Sequence, residues 1–186
     1  MEEQSHILKI LKEVYSALKK KNYIVIKELS NQLVHTSSME QDPDVVSVAV
    51  IIYALSKIIE REKYQFYKNY PNFYKNYIQC LNNMIFALEK NDIHKFRFEI
   101  EHIRNLIKNL SGHLKNYISE VFRKAKINKA SRIYEHGISM EKTAKILGIS
   151  VWELAEYSGQ TGISDVDLSI TMPIKNRIKI VEDIFR

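Results

Sequence analysis

The chain has 186 residues, of which 45% are hydrophobic and 27% charged, and this balance predicts a globular protein and excludes a disordered one. Five glycines and three prolines are too few for the many tight turns of an all-β fold and favour long helices with short connections. The net charge of +6 is compatible with an acidic partner such as nucleic acid but does not by itself indicate one.

Apolar residues at helical spacing predict two antiparallel helices at the N-terminus, with a lysine-rich break at 19–21. Asp42 followed by Pro43 is typical of a helix N-cap with proline at the first helical position. The apolar run that follows, 45–59, predicts a central buried helix. Further helices are predicted at about 71–90, 92–110 and 112–136. The predicted fold class is therefore all-α.

A pattern of aromatic residues, lysine and asparagine at 66–70 recurs at 73–77. The rings either fill the bend between two packed helices or stack on unpaired bases while the lysines meet phosphates. We favour packing, because aromatic side chains are core residues first.

Cys80 is the only cysteine, which favours a reducing compartment and a buried structural thiol. The start of the chain is acidic and polar, unlike a signal peptide. The longest apolar run, 45–55, is about half of the roughly 20 residues that a membrane span needs. We therefore expect a cytoplasmic protein without a membrane segment.

Residues 139–159 have the pattern of a helix-turn-helix. Ser139 is placed to cap the first helix, and Gly148 stands at the turn position that favours a positive φ. Ser150 and Glu153 form the sequence of a capping box for the second helix. The chain is accordingly divided into a helical interaction domain, a helix-turn-helix and a partner-binding tail, at 1–126, 127–160 and 161–186.

The second helix of this motif would normally enter a DNA groove, but it carries Trp152, Glu153 and Glu156 and no residue that reads bases well. Basic residues before it and in the first helix are placed to lie along phosphates, which adds affinity without specifying sequence. A solvated helix face is the alternative. The candidate DNA contacts are Lys126, Lys129, Arg132, Lys142, Lys145 and Ser150.

Trp152 has two interpretations, an anchor for a protein partner or a packing residue within its own domain. The tail offers further partner contacts, because 165–171 alternates polar and apolar residues as a strand does, and a short basic helix follows Pro173. A lone strand either pairs with another chain, such as a second copy, or is an extended arm that lies over its own helices. The candidate partner-binding residues are Trp152, Val166, Leu168, Ile170, Lys175, Arg177 and Lys179.

The segment from Arg97 to His102 resembles the motif of HEPN ribonucleases, in which the arginine holds phosphate and the histidine assists proton transfer at a dimer interface. We favour a surface ion-pair cluster with Glu99 and Glu101 instead. The remaining histidines have neither a cysteine partner nor a His-x-x-x-His spacing. The sequence therefore predicts no metal site, no cofactor and no enzyme.

Residues 137–157, followed by Gly159-Gln-Thr-Gly162 and the strand-then-helix tail, resemble uncharacterised archaeal helix-turn-helix proteins associated with PIN-domain nucleases. This resemblance implies an antitoxin-like or regulatory partner of a nuclease. A PIN-type nuclease would offer an acidic metal site that a cationic side chain, first of all Arg177, could reach while the strand adds to a sheet edge. We therefore expect a non-catalytic regulator that binds a protein and, weakly, DNA. The alternative is a HEPN-type RNA-processing enzyme or subunit that uses Arg97 and His102.

Overall fold

The computed structural model describes residues 4–40, 42–61 and 65–161. The all-α prediction is confirmed for this part of the chain, whereas the predicted strand at 165–171 and the basic helix after Pro173 lie outside the described residues. The helices are α1 (Gln4–Lys19), α2 (Tyr23–Glu40), α3 (Pro43–Glu60), α4 (Tyr70–Glu89), α5 (Ile93–Lys108), α6 (Gly112–Glu135), α7 (Met140–Leu147) and α8 (Val151–Thr161).

The predicted lysine-rich break separates α1 from α2. Lys21 adopts a positive φ of 51°, which reverses the chain, and Asn22 Oδ1 then accepts a hydrogen bond from the Val25 N–H at 3.2 Å. This side-chain acceptor satisfies one of the N–H groups that the first turn of a helix leaves without a partner.

Helix α3 lies at the centre of the fold, as its apolar sequence predicts. Asp42 Oδ1 accepts from the Asp44 N–H at 2.8 Å, so the predicted N-cap is confirmed, and Pro43 begins the helix. Its side chains from Val45 to Ile58 are mostly buried, and it packs against α1, α2, α5, α6 and α7. Contacts on several sides explain why β-branched residues are tolerated in this helix, since packing overrides propensity.

Helices α4 and α5 form a hairpin. Asn91, at a φ of 57°, makes the turn, and Asp92 caps α5 by accepting from the Lys95 N–H at 2.9 Å. The aromatic repeat divides between core and surface, because Phe73 and Tyr77 are buried while Phe66 is 90% exposed. Packing, the favoured interpretation, holds for Tyr70, Phe73 and Tyr77 but not for Phe66.

Helix α6 joins the first five helices to α7 and α8. It runs without interruption across residues 126 and 127, where the sequence suggested a boundary. It packs against α2, α3 and α5, which precede it in the sequence, and against α7 and α8, which follow it. Leu147 of α7 and Leu154 of α8 belong to the same hydrophobic core as α1 to α6. Within the described ranges, no helix combines the length and hydropathy needed to cross a membrane.

Candidate functional site

The two short helices α7 and α8 are joined by the tight turn that the sequence predicts. Ser139 Oγ accepts from the Lys142 N–H at 3.3 Å and caps α7. Gly148 ends α7 in the left-handed region at φ 60° and ψ 45°, where a side chain would be strained. Ala144 and Leu154 are buried, and the pair packs on α6, with α7 also contacting α3.

The predicted capping box at the start of α8 is also present. Ser150 and Glu153 bond to each other, and Glu153 Oε1 additionally lies 3.4 Å from Nη1 of Arg123 on α6. The N–H and hydroxyl of Ser150, and then Arg123, lower the pKa of Glu153. The carboxylate therefore stays ionised and ties α8 to α6.

The outer face of α8 is apolar and acidic. Trp152 is 85% exposed and its neighbour Val151 is 43% exposed. Glu156 and Gly159, at the following positions of the same helical face, are exposed as well. Packing within the described part of the chain therefore does not explain why a tryptophan occupies position 152. Its large ring is accessible to a partner.

The basic side chains of α6 are less available to DNA than the sequence suggested. Arg123 bonds Glu120 at 2.8 Å, and Arg132 Nη1 lies 3.6 Å from Glu135. Lys126 is half-buried, and its pKa is lowered by burial and by nearby Arg104. These pairs reduce the positive charge that α6 offers to phosphates.

Lys129 does not lie on this surface. It is fully buried, its Nζ donates to Asn31 Oδ1 of α2 at 2.7 Å, and it stands 4.3 Å from the centroid of the Tyr53 ring. Burial, followed by the charges of Arg132 and Lys27, lowers the pKa of Lys129 to about 7. In this conformation Lys129 cannot reach a phosphate. The basic surface is therefore smaller than the sequence suggested.

Two lysines of α7 remain as phosphate contacts. Lys142 and Lys145 are exposed, and neither makes an ion pair with a described residue. Ser150 is exposed too, but its hydroxyl accepts the N–H of Glu153. The surface that can meet DNA therefore consists mainly of these two lysines. Arg132 is a third contact only if it exchanges Glu135, 3.6 Å away, for a phosphate, which its 52% exposed side chain allows.

A cleft of about 480 Å³ opens between α3, α6 and α8. Its apolar floor includes Val121 and Ile127, and tyrosine, lysine, arginine and glutamate side chains surround it. The charges at its rim largely cancel, as in the Arg123 pairs with Glu120 and Glu153. The cleft thus shows no preference for an anion or a cation.

Arg97 and His102 do not face a common group. Arg97 Nε bonds Asp44 Oδ2 of α3 at 2.8 Å, whereas His102 Nδ1 lies 3.5 Å from Glu99 Oε2. Glu101, expected to neighbour Arg97, pairs with Arg104 instead. The ion-pair interpretation is thus supported for both residues, although the partner of Arg97 comes from a helix that sequence spacing did not indicate.

A cluster of three possible metal ligands, which sequence spacing did not indicate, lies between α4 and α5. Cys80 of α4 comes together with Glu99 and His102 of α5, and one ligand atom from each lies within 4.8 Å of the other two. Burial and the charge of Glu99 raise the pKa of the Cys80 thiol to about 12. The Glu-x-x-His spacing was a local signal, but Cys80 joins it only through the pairing of α4 with α5.

Comparisons of the chain with protein-family models, with curated proteins and with solved structures returned no match.

Proposed function

We propose that this protein is a non-catalytic, antitoxin-like regulator that binds a protein partner through α8 and contacts DNA weakly. The observation that carries the proposal is the exposure of Trp152, at 85%, on the helix that a DNA-binding helix-turn-helix would place in the groove. Large aromatic side chains anchor protein interfaces, whereas the adjacent Glu153 and Glu156 repel phosphates.

The charge of this surface favours a nucleic-acid-binding protein as the partner. A nuclease surrounds its substrate groove with cations, and an acidic helix face with a central tryptophan is complementary to such a groove. A PIN-type nuclease is the partner that the resemblance suggests. In the proposal, the tail from residue 163 onward supplies a second contact through Val166, Leu168, Ile170, Lys175, Arg177 and Lys179.

DNA binding in this proposal depends on Lys142, Lys145 and Arg132. Phosphate contacts of this kind add affinity that decreases with salt and discriminate little among sequences. The HEPN-type alternative has less support, because the guanidinium of Arg97 is bonded to Asp44 and the ring of His102 faces Glu99.

The test compares tagged wild-type protein with Trp152→Ala and Phe86→Ala in recovery of the native partner, followed by affinity measurements on the purified pair. Phe86 is a matched control, since it is 52% exposed on α4, away from α8. We expect Trp152→Ala to weaken binding by at least about tenfold and Phe86→Ala to leave it unchanged.

Two results would contradict the proposal. One is equal partner affinity in the wild type and Trp152→Ala. The other is a preference for one duplex sequence of more than about 10³-fold, which is the range of sequence-specific DNA-binding proteins.

A further inference from the structure

We propose that Cys80, Glu99 and His102 form a binding site for a divalent metal ion of the zinc type between α4 and α5. The three side chains offer a sulfur, a carboxylate oxygen and a ring nitrogen, all within 4.8 Å of one another. These are the ligand atoms that Zn²⁺ takes in proteins. The site is separate from α8, and the inference does not depend on the proposed function.

The spacing of the ligand atoms requires only a small adjustment. Zinc–ligand bonds of about 2.0–2.3 Å at tetrahedral angles place ligand atoms roughly 3.3–3.8 Å apart. Cys80 and Glu99 are buried and fixed by packing, but the His102 side chain is 45% exposed. The exposed imidazole has room to rotate, so His102 can adjust to a metal ion without movement of either helix.

Glu99 is the observation that points to a cation. Its side chain is only 5% exposed, and its Oε2 has no hydrogen bond of good geometry from the described residues, although His102 Nδ1 lies 3.5 Å away and the Cys80 thiol is a weak donor beside the carboxylate. Burial of a carboxylate without a full set of partners is costly, so a buried anion calls for a cation beside it. Asn83 Nδ2 donates to the other oxygen, Oε1, at 3.0 Å and orients the carboxylate, as outer partners of metal ligands commonly do.

The charges of the proposed site balance. On binding, the Cys80 thiol releases its proton to solvent, and the resulting thiolate together with the Glu99 carboxylate neutralises the dication. Neutral His102 supplies the third ligand. Three protein ligands leave a fourth position open, and His102 lies on the exposed side of the cluster, so that position faces solvent.

A simpler account of the same geometry is an ion pair between Glu99 and His102, one helical turn apart on α5. In that account the Cys80 thiol keeps its proton and is only a weak hydrogen-bond donor to Glu99. Dependence of metal binding on the thiol therefore separates the two explanations.

The experiment uses the full chain, treated with chelator and then titrated with Co²⁺ and with Zn²⁺. We expect one Co²⁺ per chain, with a thiolate-to-cobalt charge-transfer band that Zn²⁺ removes by displacement. Cys80→Ala should abolish the band. Glu99→Gln and His102→Ala should weaken binding at least about tenfold, since loss even of outer partners costs roughly 10–100-fold.

His94→Ala is the matched control, because His94 is exposed on α5 outside the cluster and its loss should leave binding unchanged. Substitution of the buried Cys80 or Glu99 can prevent folding. The His102 side chain is 45% exposed, so His102→Ala should fold and keeps the test decisive. Absence of a charge-transfer band in the wild type would overturn the proposal. Equal zinc affinity in the wild type and His102→Ala would do the same.

Discussion

Ser150 and Glu153 close a reciprocal pair of hydrogen bonds at the start of α8. Ser150 Oγ accepts from the Glu153 N–H at 3.1 Å, and the Ser150 N–H donates to Glu153 Oε2 at 3.0 Å. Two N–H groups that a helix terminus leaves without partners are satisfied in this way. The polar groups of Ser150 thus serve α8 itself, and a phosphate would have to compete with them.

Ser150→Ala should therefore lower the free energy of unfolding by about 1 kcal/mol, the usual cost of losing a serine cap, with little effect on DNA affinity. Chemical denaturation measures the first quantity and fluorescence anisotropy on a mixed-sequence duplex the second. Ser119→Ala, at an exposed position inside α6, is the control and should be neutral or slightly stabilising. A variant of normal stability that has lost DNA binding would instead assign Ser150 to the phosphate surface.

The local features of this fold could be predicted because they depend on short spacings. The Asp42 cap, the Gly148 turn and the Ser150–Glu153 box each involve residues within a few positions of one another, and all three are present. Helical periodicity likewise located the helices to within a few residues.

Contacts between distant segments could not be predicted in the same way. Lys129 had the appearance of a surface lysine, yet its amine bonds Asn31, which is 98 positions away in the sequence. Cys80 meets Glu99 only because α4 and α5 pair in one register. In both cases tertiary packing decides which side chains meet. Helical periodicity predicts which face of a helix is buried but not which helix packs against that face.

Lys129 should make stability depend on pH. Its pKa is about 7 in the folded protein, against a usual value near 10.5 in the unfolded chain. Below pH 7 both states hold the proton, and the folded state carries the cost of a buried charge. Between pH 7 and 10.5 only the unfolded state retains the proton, so the free energy of unfolding rises with pH, by at most about 1.4 kcal/mol per unit.

Denaturation of the wild type and Lys129→Met between pH 7 and 9 measures this effect. Relative to the variant, the wild type should gain up to about 2–3 kcal/mol over the two units. The range ends at pH 9 because buried tyrosines have an opposite effect above it. Burial raises the pKa of Tyr70 to about 12, whereas tyrosines of the unfolded chain ionise near pH 10, so the free energy of unfolding falls above that pH. Lys129→Arg, which stays charged, should be destabilised throughout. A constant difference between wild type and Lys129→Met would contradict the prediction.

Trp152→Ala should leave stability nearly unchanged. A side chain that is 85% exposed loses little buried area on truncation, so the free energy of unfolding should change by less than about 0.5 kcal/mol. Leu154→Ala, which empties a fully buried position on the same helix, should cost about 2–5 kcal/mol. If Trp152→Ala is as destabilising as Leu154→Ala, the ring packs within the protein and the role proposed for it in partner binding loses its basis.

The phosphate surface of the proposal consists of Lys142, Lys145 and Arg132. Each cation that neutralises a phosphate contributes about −0.9 to the slope of log K against log salt concentration, so Lys142, Lys145 and Arg132 together predict a slope of about −3 for duplex DNA. Lys142→Ala with Lys145→Ala should bring the slope to about −1 and reduce affinity equally for all sequences.

The matched control for this pair is Lys9→Ala with Lys20→Ala, which removes the same net charge from α1 and the turn after it. If affinity depends only on net charge, both double variants should weaken binding alike. Because phosphate contacts act at close range under screening by salt, we expect the α1 variant to retain the wild-type slope. An identical change in slope for both variants would show that DNA is attracted to the whole protein and that α7 has no specific part in binding it.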